Sequence, residues 1–70
     1  MEKFTLKEGE TFIELNNLMK ILSWVNSGGE AKIRIDQSEV LVNNEIEIRR
    51  RRKLKSGDII QFGEEKAVIE

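Results

Sequence analysis

The apolar residues of this chain change their period partway along it. Leu15, Leu18, Met19 and Leu22 recur at i, i+3, i+4 and i+7, the spacing of one helix face. Beyond Val40 the apolar residues come in short runs or alternate: Val40-Leu41-Val42, Glu45-Ile46-Glu47-Ile48, Ile59-Ile60-Gln61-Phe62 and Lys66-Ala67-Val68-Ile69. Those are strand patterns. Ahead of the helical stretch, Lys3-Phe4-Thr5-Leu6-Lys7 alternates too, with Phe4 and Leu6 expected inward. The order β, α, α, then several strands predicts an α+β fold, a helical hairpin packed with a small antiparallel sheet.

Helix boundaries follow from capping chemistry. Thr11-Phe12-Ile13-Glu14 has the spacing of a capping box, which predicts a helix over 12–22. Ser27-Gly28-Gly29-Glu30 repeats the spacing and predicts a second helix to about Asp36, with Ala31 and Ile35 on one face. Lys32-Ile33-Arg34-Ile35-Asp36 also alternates like a strand. Helix is preferred because two successive capping boxes agree, and the choice leaves Ile33 pointing away from Ala31. Glu30 is then a capping partner rather than an acid catalyst. Trp24, beside Val25, is expected in the core rather than stacked on a base.

Asn43-Asn44 separates two strand runs, so a β-hairpin is expected. A two-residue loop would pair Leu41 with Ile46. A three-residue loop would gather Val40, Val42, Ile46 and Ile48 on one face, and it is preferred because it collects more apolar surface. Glu47, Arg49 and Arg51 would then share the other face, and Arg50 and Arg52 the side of Ile48. Glu45 and Glu47 are the expected acidic partners of this strip. Ser56-Gly57-Asp58 and Gly63-Glu64-Glu65 read as turns.

With 70 residues and neither Cys nor His, the chain is expected to be a single domain over 1–70, burying only about 60% of its unfolded surface. No disulfide, thiolate site or imidazole base is available, no carboxylate cluster suggests a metal, and no cofactor or catalytic activity is expected. An intracellular, cytoplasmic location fits. No apolar stretch approaches the roughly 20 residues needed to span a bilayer.

Charge is sharply polarised. Arg49, Arg50, Arg51, Arg52, Lys53 and Lys55 are six of the 12 basic residues, so six face 13 acidic residues in the rest of the chain. A strip this dense repels itself and calls for a partner with regular negative charge, of which nucleic-acid phosphate is the first candidate. A helix N-terminus at Ser27-Gly28-Gly29 would add free backbone N–H groups and a positive dipole end. Lys32 and Arg34 would add charge beside it.

Read together, residues 11–62 resemble the RNA-binding domain named after ribosomal protein S4, the alpha-L motif. The resemblance rests on an apolar helix, a Ser-capped second helix with Ala31-Lys32, the turn Val40-Leu41-Val42-Asn43, and Leu54-x-x-Gly57-Asp58-x-Ile60. Gly9 to Leu15 and Trp24 to Lys32 look more specifically like the small stand-alone bacterial members, the YaaA/YbcJ type. Ser38 and Asn44 stand where the family usually has Gly, so the turn before Val40 is expected to differ in shape.

The resemblance implies an S4-like fold and a non-catalytic module for structured RNA, ribosomal RNA or a ribosomal particle, acting as a monomer away from membranes. It nominates Ser27, Lys32, Asn43 and the basic residues after Ile48 as contacts. The rival reading is a protein-interaction domain docking its strip on an acidic protein surface. DNA binding is a third.

Overall fold

The computed structural model describes residues 1–70. Along it run β1 (Glu2–Phe4), β2 (Ile13–Glu14), α1 (Leu15–Ile21), α2 (Gly28–Asp36), β3 (Val40–Val42), β4 (Glu45–Ile46), β5 (Lys53–Leu54), β6 (Ile59–Phe62) and β7 (Glu65–Ile69). Five strands form one sheet in the order β1-β7-β6-β3-β4, and β2 pairs with β5 separately. The α+β reading holds, but the main sheet is mixed rather than wholly antiparallel, because β1 runs parallel to β7. Leu15, Leu18 and Met19 of α1, Ala31 and Ile35 of α2, and Val40, Val42, Ile60 and Ile69 of the sheet share one core with Leu54.

α2 follows its sequence closely. The Ser27 hydroxyl accepts a hydrogen bond from the Glu30 backbone N–H at 3.1 Å, and the Glu30 carboxylate accepts one from Asn26 N–H at 2.8 Å. Ala31 and Ile35 are fully buried, while Ile33 is exposed. Trp24 is half-buried against the core. Its ring stacks with Phe62 at 6.2 Å between centroids, and its N–H donates to the Glu2 carboxylate.

α1 departs from expectation. Ile13 and Glu14 pair with Leu54 and Lys53 as β2 and β5, so the helix begins only at Leu15, without any side-chain cap. Its first N–H groups find partners far along the chain: Leu15 N–H donates to the carbonyl of Arg52 at 2.9 Å and Asn16 N–H to that of Arg50 at 3.0 Å. The orphan donors of a helix start must be satisfied by something. Here the arginine segment replaces the Thr11–Glu14 box.

Both helices stop in the same way. Ser23 and Ser38 take left-handed backbone, at φ 60° and 62°. Trp24 N–H donates to Met19 carbonyl and Ser23 N–H to Lys20 carbonyl; Glu39 N–H donates to Arg34 and Ser38 N–H to Ile35. That is the Schellman arrangement, with Ser in the place glycine favours. The turn before Val40 therefore keeps a left-handed shape despite Ser38.

The hairpin takes the register that was not preferred. Leu41 faces Ile46 and Val42 faces Glu45, across a two-residue Asn43-Asn44 loop with φ 52° and 69°, as a type I′ turn requires. Ile46 and Ile48 are consequently exposed, at 61% and 62%. Glu47 N–H donates to the Val40 carbonyl, and its side chain turns inward to become the one buried charged residue of the chain, 5% exposed. The apolar surface that the other register would have gathered is outweighed by a turn geometry that suits two consecutive Asn residues.

Candidate nucleic-acid interface

β4 ends at Ile46, and the strip crosses the molecule as a folded loop, residues 47–52, before joining β5. Arg52 N–H donates to the Arg49 carbonyl, and the carbonyls of Arg50 and Arg52 are held by the start of α1. The backbone of the strip is thus tied down at several points.

Its side chains divide around Glu47. Arg49 meets the Glu47 carboxylate through Nε at 2.9 Å and Nη2 at 3.0 Å, and its backbone N–H donates to the same group at 2.9 Å. Arg52 Nη1 donates to Oε1 at 2.6 Å. The Arg49 guanidinium, helped by Arg52, pulls the Glu47 carboxyl from its ordinary 4.5 down to about 2 against burial, which pushes it up. The same hydrogen bond raises Arg49. Arg50 and Arg51 are exposed and make no ion pair. The expected alternation, Arg49 with Arg51 and Arg50 with Arg52, is replaced by a pairing of Arg49 with Arg52. Glu45 takes no part.

Arg49, Arg51, Arg52, Lys53 and Lys55 line one open concavity together with Asp58. Asp58 is already occupied, accepting from Asn43 Nδ2 at 3.0 Å and from Lys55 N–H at 2.8 Å. The Asn43 side-chain oxygen in turn accepts from Ile59 N–H at 2.9 Å. Asn43 therefore braces the hairpin turn against the concavity from behind. Lys53 sits 5.0 Å above the ring of Phe12, which steadies its stem.

The other nominated residues lie outside this wall. Lys32 is exposed on α2. Arg34 is engaged by Glu30 at 3.7 Å and Glu39 at 3.4 Å. Ser27 spends its hydroxyl on the cap. A Cβ at Gly28 would meet nothing within 4 Å, and at Gly29 only the Ser27 hydroxyl at 3.8 Å, so packing within the protein requires neither glycine. Arg50 also lies off the wall.

Sequence reasoning missed the burial of Glu47. The signal was present: Asn-Asn favours the two-residue loop, and that register turns Glu47 to the side of Val40.

A family model described as the S4 domain matches residues 4–70. YbcJ of Escherichia coli (strain K12), whose name marks it as a candidate RNA-binding protein, is 38% identical over 50 residues, 71% of each chain. RlbA of Bacillus subtilis (strain 168), named a probable ribosome maturation protein, is 43% identical over 50 residues, 71% of this chain and 70% of its own. The solution structure of Escherichia coli YbcJ, described as revealing an alpha-L motif involved in RNA binding, superposes with a TM-score of 0.73 at 32% identity, covering 99% of this chain and 86% of that one. The overall fold is thus shared with a solved alpha-L structure, and the chain belongs to the S4 domain family.

Proposed function

We propose that this protein is a non-catalytic binding module for structured RNA, with ribosomal RNA or a ribosomal particle as its target. The observation that carries this reading is the open concavity walled by five cations, with its one acid, Asp58, already hydrogen-bonded from within the protein. Folded RNA is recognised largely through its backbone and shape, and such a wall offers charge and forked donors rather than base-reading groups. The names of YbcJ and RlbA support RNA and the ribosome respectively. α2, with Lys32 exposed and two glycines free of packing duty, is a second contact in this reading.

A second reading, docking on an acidic protein, is favoured by Ile46 and Ile48, which stand exposed just before the strip. Competition decides between the two. A labelled RNA stem-loop bound to the protein should be displaced by folded ribosomal RNA and poorly by duplex DNA or an acidic protein. Preferential displacement by the acidic protein would favour docking, and equal displacement by DNA would leave only general phosphate affinity.

A further inference from the structure

An acid inside an anion-binding surface needs a reason. Glu47 is buried, lies within the cationic strip, and lowers the positive potential there. A buried ion pair is not in general more stabilising than an apolar residue of the same shape. What Glu47 supplies that an apolar residue could not is direction. Arg49 commits Nε and Nη2 to it and Arg52 only Nη1. A guanidinium has more N–H donors than these, so both forks keep free edges, while the two-point contact fixes the plane of Arg49 and the single bond anchors one end of Arg52. Both side chains line the concavity, and the backbone between them is pinned to α1. Long side chains held in place before binding lose less freedom on binding.

We propose that Glu47 is a positioning residue for RNA binding, holding the guanidinium groups of Arg49 and Arg52 at the wall of the concavity so that their free edges meet the RNA backbone already oriented. The inference rests on the RNA-binding reading above. Under it Arg49 and Arg52 act through geometry and Arg51 acts as a point charge, while Arg50 stands off the wall.

The test exploits a conflict of sign. Glu47→Gln removes a negative charge, so simple electrostatics expects tighter binding to phosphate. Positioning expects the opposite: in a variant shown to be folded by circular dichroism, affinity for a fluorescein-labelled RNA stem-loop at fixed salt falls about tenfold, the worth of one charge-assisted hydrogen bond. In NMR spectra the Arg49 Nε–H should be shifted and slow to exchange in the wild type and lose both properties in the variant. Should Glu47→Gln fail to fold, Arg49→Lys and Arg52→Lys keep the charge and remove the fork. Each should weaken binding several-fold, while Arg50→Lys binds as the wild type does. A folded Glu47→Gln protein that binds as tightly as the wild type or tighter overturns the positioning role, and so do equal effects from the three lysine variants. A wild-type protein that ignores the stem-loop at low salt overturns the RNA reading itself, and this inference with it.

Discussion

At the scale of single residues, Glu47 ties stability to pH. Its carboxyl titrates at about 2 when folded, against an ordinary 4.5. A depressed carboxyl contributes stability that is fully present above the ordinary value and lost as pH falls from there through the folded one. The contribution is roughly 3 kcal/mol at neutral pH. Glu47→Gln should therefore cost up to about that much at pH 7, and the gap to the wild type should close between about pH 4.5 and 2. Urea unfolding at a series of pH values measures this; a gap independent of pH would mean that the carboxylate charge does not hold the loop. The three-residue register hid this residue, although Asn43-Asn44 pointed to the other one. Placing Ile46 and Ile48 inward made Glu47 an exposed, weakly pairing acid, and one residue of slip exchanges every side chain between the two faces of a strand.

At the scale of elements, legibility follows the range of the interactions. The start of α2 is settled by Ser27, Glu30 and Asn26, all local, and could be read directly. The start of α1 is settled by carbonyls of Arg50 and Arg52, which no local pattern announces, so the spacing of Thr11 and Glu14 reads as a capping box that the structure does not form. The helix ends carry a stability prediction. Ser38 holds a left-handed backbone that costs an L-residue about 1 kcal/mol, so Ser38→Gly should stabilise the protein by about 0.5–1 kcal/mol, a rise in Tm of several degrees for a domain this small. An unchanged or lower Tm would show that the conformation is not strained. For function, Lys32→Glu should leave stability within about 0.5 kcal/mol and weaken binding to the RNA stem-loop. Unaltered affinity in that folded variant would remove α2 from the interface.

At the scale of the whole molecule, the α+β class was legible because hydrophobic periodicity and turn residues agreed on it, while the parallel pairing of β1 with β7 was not. Nor was the concavity, because it depends on how residues 47–52 fold back across α1. Five cations line it, and if all five meet phosphates, log K should fall with log salt at a slope of about −3.5 to −4.5. A flat response would leave too little phosphate contact for this reading. The pairing of β1 with β7 has a mechanical consequence as well. Because these terminal strands run parallel, with Glu2 beside Ala67 and Phe4 beside Ile69, tension applied at the two ends of the chain pulls them lengthwise in opposite directions. The rungs between them are loaded together, in shear, instead of opening one by one. An unfoldase tugging on either end therefore meets the sheet in its stiffest direction, while one that grips a loop does not.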